Sequence, residues 1–459
     1  MKMNTFNIID FGAVGDGCTL NTKSIQDAVE AAAGQGGGRV VIPPGRFNSG
    51  TIFLRENITL EIQTGGVLLA SRNIEDYPNY RAFDLAVRGQ LGLNDIQSHA
   101  FLVTQCANNV MICGGGTIQL PGDAFWLGTS ENSRGWIAAK KKRVSPSIVF
   151  RECEHVRMID VSIFDSSGWT VEFNSCRYVW VRGVFIKNHF WGPNTDGLDI
   201  QGCQDVMISD CRIDVSDDCI VLKTLPDTLE NARITVTNCT LRTQCVGLKL
   251  GAGECHKPMR QVVFSNCIVH DTTRAFGLYA YKKGAVYEDI IVSNIICDTK
   301  NEWELNRPIH IDVRDRDGYG FGTIRNVIIS DFICRTDGRI LITAQEGAVV
   351  ENIVLRNIRM HYEKINDPEP LGRNAKSAQF SMANPDCAAA RAVVAAENIK
   401  GFVLDGLYVD YPDDYQGVPF HVLWGRGLKG GMINAPLCAS SVSTHEKYHL
   451  ENSTIQVTA

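Results

Sequence analysis

The chain has 459 residues, a formal net charge of −6 and a pI near 6.0. Its lysines and arginines are scattered and no stretch is long and apolar enough for a membrane span, which argues against nucleic-acid and membrane partners. The opening Met1-Lys2-Met3-Asn4-Thr5-Phe6-Asn7-Ile8 lacks the apolar run of a signal peptide, so a cytoplasmic location is expected.

In chain order, Phe6-Asn7-Ile8-Ile9-Asp10-Phe11 reads as a strand leading into the glycine-rich turn Gly12-Ala13-Val14-Gly15-Asp16-Gly17. Asn21 or Thr22 then caps an amphipathic helix with Ile25, Ala28, Val29 and Ala32 on one face, ended by Gly34-Gln35-Gly36-Gly37-Gly38 before a strand from Val40. Because Gly12-x-x-Gly15-x-Gly17 lacks both the P-loop lysine and the GxGxxG spacing, the helix is expected to cover an open sheet end, not to bind phosphate. Strand-like segments at Ile58–Ile62 and Val110–Ile118 are separated and followed by insertions at 74–100, with Tyr77, Tyr80 and Arg81, and at 119–147, with Phe125, Trp126, Trp136 and Lys140-Lys141-Lys142-Arg143. That basic run reads either as solvated surface or as a wall for an anionic substrate.

From Val156 onward an alternating apolar strand followed by Asp, Asn or Gly recurs eight times, with the polar residue at 160, 183, 210, 238, 266, 294, 331 and 357. The gaps by subtraction are 23, 27, 28, 28, 28, 37 and 26 residues. Short β-rich repeats that cannot bury a face alone stack into a solenoid, so the expected fold is all-β, a single parallel β-helix with an N-terminal capping helix and strands about 4.8 Å apart. It is expected to form one domain, with the cap and first strands at 1–50, coils over 51–360, a loop or lid at 365–398 and a last coil and tail at 399–459. Cys211, Cys239 and Cys267 share one place in successive coils, and Cys153, Cys176 and Cys203 another, as expected of ladders of buried thiols. No cysteine pair has zinc-site spacing.

Asp196 and Asp218 each precede a similar strand, and 218 − 196 = 22 residues separate them, one circuit of the solenoid. With Asp217 they form an acidic centre whose carboxylates repel one another and titrate as a group. One protonated carboxyl beside ionised ones is what glycoside hydrolysis needs; a calcium site or plain turn chemistry are the other uses of such a cluster. Taking Val171, Leu198, Ile220, Leu248, Leu278 and Ile309 as inward, the outward columns read Glu172, Asp199, Val221, Lys249, Tyr279, His310 and Asn174, Gln201, Lys223, Gly251, Tyr281, Asp312. Such a face fits a carbohydrate groove. Its substrate-binding candidates are Asn194, Lys223, Lys249, Tyr279, Tyr281 and His310, with Lys282 nearby.

Gly192-Pro193-Asn194-Thr195-Asp196-Gly197 with Ser216-Asp217-Asp218-Cys219 strongly resembles glycoside hydrolase family 28, the polygalacturonase-like enzymes. Asp10-Phe11-Gly12-Ala13-Val14-Gly15-Asp16-Gly17 and Gly114-Gly115-Gly116-Thr117-Ile118 resemble the same family. The resemblance implies a right-handed, pectin lyase-like parallel β-helix and inverting hydrolysis, and no metal or cofactor is expected. In it Asp217 is the general acid, and Asp196 and Asp218 position and activate the water. The chain departs from the family pattern twice, with Cys245-Val246-Gly247 in place of Gly-His-Gly and Tyr279-Ala280-Tyr281 in place of Arg-x-Lys. An intracellular member would trim galacturonate-type oligosaccharides from an end, with the insertions closing the groove into a pocket. A lyase or epimerase and a non-catalytic glycan-binding protein are the competing readings, and the oligomeric state stays open.

Overall fold

The computed structural model describes residues 4–80, 98–132, 135–316, 318–364, 385–411, 421–434, 437–438 and 447–458. They fall into two compact units, Met1–Asn132 with Trp136–Cys219 and Ser133–Gly135 with Ile220–Ala459. Arg81 and most of the insertions expected at 74–100 and 365–398 lie outside the described residues.

In the first unit a coil consists of three short strands, each paired in parallel with its counterpart one coil on. Ile148–Arg151, Val171–Asn174 and Leu198–Gln201 make one ladder, and Glu154–Ile159, Arg177–Arg182 and Gln204–Ser209 a second. Ser162–Phe164, Phe185–Lys187 and Arg212–Asp214 make a third. The coils of the second unit use longer strands, such as Val286–Thr299, Thr323–Thr336 and Val349–Tyr362, beside the shorter Arg274–Ala280, Ile309–Val313 and Ile340–Ala344. Both units wind as right-handed parallel β-helix.

The chain turns where left-handed backbone is cheapest. All eight punctuation residues, Asp160, Gly183, Asp210, Asn238, Asn266, Asn294, Asp331 and Asn357, have φ between 51° and 63°, a region that Gly, Asn and Asp enter at least cost. Five residues before each of them runs a second left-handed column: His155, Tyr178, Asp205, Arg233, Gln261, Asp289, Asn326 and Asn352. Asparagines at these corners hydrogen-bond from coil to coil, Asn294 Nδ2 to Asn266 Oδ1 at 3.1 Å and Asn352 Nδ2 to Asn326 Oδ1 at 3.0 Å.

Inside the coils Val171, Phe173, Leu198 and Ile200 are fully buried, and Phe150 stacks on Phe173 with ring centroids 5.1 Å apart. Such a pair adds about 0.5–1.5 kcal/mol beyond its buried area. Cys153, Cys176 and Cys203 form the expected ladder of buried free thiols, with the Cys176 N–H on Cys203 Sγ at 3.4 Å and Cys203 Sγ donating to Phe173 O at 3.3 Å.

The helix Thr22–Gly34 buries the expected Ile25, Ala28, Val29 and Ala32. Its Gln26 side chain satisfies both backbone groups of Phe53, on the end strand of its ladder, at 2.9 Å each. Asn21 occupies the N-cap position without capping; its Oδ1 accepts the Val14 N–H at 2.7 Å and its amide donates to Thr19 O at 2.7 Å, so it ties down the glycine turn instead. The first segment is also shorter than expected, a strand Thr5–Asn7 followed by a 3-10 turn Ile8–Phe11.

Two stretches expected as loops contain regular structure. The 119–147 insertion holds an antiparallel pair, Trp126–Glu131 with Ile137–Ala139. The end of 365–398 holds the strand Ala392–Glu397, which pairs with Ile340–Ala344 and His421–Arg426. Its alanines have weak strand propensity, so only its neighbours reveal it.

Candidate active site

Asp196, Asp217 and Asp218 stand at turns of the first unit, Asp196 just before the strand Leu198–Gln201. The N–H groups of Gly197 and Leu198 donate to the carbonyls of Asp218 and Cys219 at 2.9 Å, placing Asp196 and Asp218 at equivalent points of adjacent coils, as their 22-residue spacing predicts. Gly197 makes this approach possible: a Cβ there would lie 2.5 Å from Cys219 O and 2.6 Å from Ile213 Cγ2. Carboxylate oxygens of Asp217 and Asp218 come within 4.8 Å of one another, and the three side chains are 1%, 5% and 2% exposed in chain order.

Neutral groups hold this turn. Asn194, in left-handed backbone at φ 52°, donates its amide to Asp217 Oδ2 at 3.1 Å, and the Asp218 N–H reaches Asp217 Oδ1 at 3.1 Å. Beneath them Thr195 Oγ1 and Ser216 Oγ lie 2.8 Å apart, with Ser216 Oγ also donating to Gly192 O. The next outward positions, Glu172, Asn174, Asp199 and Gln201, are buried as well, and both amides bond Glu172 Oε1, at 3.1 and 3.0 Å.

The residue that composition concealed is Arg143. Lys140, Lys141 and Lys142 are exposed, but Arg143, the last of the same basic run, is only 4% exposed and donates to Pro193 O at 3.2 Å. Burial pushes its guanidinium down to about 10, against the pull of the nearby Asp196 charge. The insertion thus delivers one buried cation to the loop that carries Asn194 and Asp196. Nothing in a run of four basic residues marks which one turns inward.

In the second unit the strand register corrects one column. Lys249 pairs with Gly277, and Gly277 with His310, while Tyr279 pairs with Gly251 and Asp312. The inward partner of Leu248 is therefore Phe276, 28 residues on, not Leu278; Tyr279 moves to the second column and Tyr281 falls beyond the strand. The side chain of Tyr279 lies across Gly277, where a Cβ would meet its hydroxyl at 2.7 Å.

Tyr279, Tyr281 and His310, expected to contact sugar, are all fully buried. Buried tyrosine hydroxyls need partners, and they have them: Tyr279 Oη is 3.3 Å from His310 Nδ1, and Tyr281 Oη donates to Asp312 Oδ2 at 2.8 Å. Asp312 also accepts from Thr343 Oγ1 at 2.8 Å and pairs with Arg314 at 3.1 Å. Burial still raises its carboxyl against those partners. Burial, followed by Arg274, Arg307 and Arg314, holds His310 well below the ordinary histidine value, so its imidazole is neutral.

Lys223 and Lys249 are both buried, Lys249 Nζ lying 6.0 Å from the Tyr279 ring centroid. Glu254, not singled out from the sequence, lies among them. Burial pushes its carboxyl up, yet Lys223, Lys249 and Lys282 together hold it below the usual carboxylate range. Lys282 Nζ in turn sits 3.0 Å from His256 Nε2, and burial with that ammonium lowers the imidazole.

Residues 87–362 match the family model of glycosyl hydrolases family 28. A probable polygalacturonase of Vitis vinifera is 27% identical over 48% of this chain and 45% of its own length. An exo-poly-alpha-D-galacturonosidase of Dickeya chrysanthemi is 29% identical over 47% of this chain and 41% of its own. The chain thus spans under half the length of these curated relatives. Among solved structures, a hyperthermoactive exopolygalacturonase of Thermotoga maritima superposes with a TM-score of 0.63 at 22% identity, over 79% of this chain and 88% of that one. A family 28 exopolygalacturonase of Yersinia enterocolitica gives 0.64 at 17% identity, over 99% and 78%. At these identities the two structures bear on the fold.

Proposed function

Because this chain belongs to glycosyl hydrolases family 28, we propose that it hydrolyses O-glycosidic bonds in galacturonate-containing oligosaccharides, with inversion and from one end of the chain. The observation that carries the reading is the buried acidic turn, with Asp217 and Asp218 within 4.8 Å and Asp196 one coil away. Asp217 protonates the leaving glycosidic oxygen, held in orientation by the Asn194 amide. Asp196 and Asp218 hold the attacking water and take its proton as the new C–O bond forms. Arg143 places a fixed positive charge beside Asp196. Exo action draws support from the relatives whose names carry it. The glycosidase reading also draws on what surrounds the turn: burial removes bulk water from the carboxylates, which strengthens their interactions with the charge that develops on the sugar.

The test is product release from a panel of pectic and neutral oligosaccharides, comparing the native protein with Asp217→Asn and recording the anomer formed. Inverted monosaccharide or disaccharide, lost in the variant, supports the reading. Unsaturated, ultraviolet-absorbing products would assign a lyase, and rapid viscosity loss on long chains would overturn exo action.

A further inference from the structure

A groove of the first unit is lined by none of Asp196, Asp217, Asp218 and Asn194. It encloses about 930 Å³, within the roughly 300–1,000 Å³ range of small-ligand sites. Its floor is the outer face of a different ladder, Gly45–Ser49, Gly66–Ala70 and Thr117–Gln119, continued by Ser162–Phe164. Asn48, Leu69 and Gln119 are in register there and make a row across three coils. From Arg46 to Asp165 the groove crosses three strand steps, about 14 Å at 4.8 Å each, and Gly17, one coil before Arg46, also lines it. That length suits a short oligomer better than a single ring.

The walls are built, not incidental. Arg72 binds Asp123 through two parallel hydrogen bonds of 2.8 and 3.0 Å, which joins the segment after Ala70 to the one after Leu120 and shapes the groove in advance. Trp126 stands edge-on to His189, with centroids 5.3 Å apart, and gives the far end an aromatic flank. Gln119 is held in place by Asp165 Oδ2 at 2.9 Å. An amide floor with an aromatic flank is suited to sugar hydroxyls and ring faces. The charges are unequally used: Arg72 is engaged by Asp123, whereas exposed Arg46 makes no ion pair among the described residues and lies at the opposite end from Asp165. That polarity favours a ligand with a carboxylate at the Arg46 end.

We propose that this groove is a second saccharide site, separate from the aspartate turn, which takes a short uronate-bearing oligosaccharide with a carboxylate on Arg46. The choice of a uronate rests on the substrate class proposed above. The test reads binding stoichiometry and not turnover, so the two ideas can fail separately.

The experiment is calorimetric titration of the full-length Asp217→Asn protein, which blocks turnover, with a galacturonate trisaccharide and with the neutral galactose trisaccharide. Two acidic trisaccharides per chain are expected. Arg46→Glu in the same background should weaken one of the two sites by about tenfold or more, the worth of a charge-assisted contact, and leave the other unchanged. Because Arg46 is exposed, its replacement leaves folding intact, and Arg46→Glu in the native background should hydrolyse a disaccharide at the normal rate. No binding, a single site or two sites indifferent to Arg46→Glu, or equal binding of the neutral trisaccharide at the Arg46-dependent site would overturn the proposal, whereas a single site weakened by Arg46→Glu would uphold it and count against the acidic turn as the binding site.

Discussion

Asp196, Asp217 and Asp218 in the first unit, and Arg274, Glu304, Tyr281 and Asp312 in the second, are all buried polar groups held by opposite means. Asp217 sits at a turn, held by two neutral donors, the Asn194 amide and the Asp218 N–H. The second set sits on or beside strands and is held by mutual pairing, with Arg274 Nη2 on Glu304 Oε2 at 2.7 Å and only 1% and 4% of the two side chains exposed. Both kinds of donor favour the charged carboxylate, a guanidinium more strongly than a neutral N–H.

The sharpest break of this contrast is Asp217→Asn. It keeps size and shape, so the unfolding midpoint should stay within a degree or so while kcat falls by about 10²–10⁴, the usual share of a general acid. Arg274→Met should do the reverse. It leaves Glu304 buried without its partner, at a cost of about 3–5 kcal/mol in urea unfolding, much of it recovered by adding Glu304→Leu; an unchanged midpoint would remove the structural role assigned to the pair.

Arg143→Met lies between the two classes, since Arg143 is a buried charge that serves the acidic turn. Losing its charged hydrogen bond to Pro193 O should cost about 1.5–3 kcal/mol and lower kcat/KM together with stability. Gly197→Ala tests the stacking of the turns themselves. With a Cβ 2.5 Å from Cys219 O, it should destabilise the fold by about 1–3 kcal/mol.

The smallest effect is the pH dependence of the second unit. His310 is held well below 6.5 in the fold, so below about pH 6.5 the unfolded chain takes up a proton that the folded state refuses. Its contribution is therefore present above that pH and lost as pH falls toward the depressed value. Asp312 acts with the opposite sign, since burial raises it: its contribution is present below its ordinary 3.8 and lost as pH rises through the raised value. Urea midpoints from pH 7.5 down to 5 should fall less steeply in His310→Gln than in the native protein. An identical slope would place the proton elsewhere.

Much of the fold was legible because its cues are local. The corners at Asp160, Asn238 and Asn294 carry the residues that left-handed backbone favours, and the 22-residue spacing of Asp196 and Asp218 reads directly as stacked turns. The second left-handed column was not legible, since Tyr178, Arg233 and Gln261 have no special affinity for that conformation; the flanking strands impose it. Tyr279 was misplaced by two residues although the 28-residue period of the other strand ladder already pointed to Phe276 as the partner of Leu248. A two-residue slip keeps the same face outward, so alternation alone does not detect it.

Repeat length, corner residues and the spacing of three aspartates are properties of neighbouring residues along the chain, and they suffice to specify the β-helix and its acidic turn. Which member of Lys140-Lys141-Lys142-Arg143 turns inward, which carboxylate stands among Lys223, Lys249 and Lys282, and which aromatic rings are buried were decided only by the tertiary structure. Each depends on what lies one coil away, and the low-dielectric surroundings that set these charges exist only once the coils are stacked.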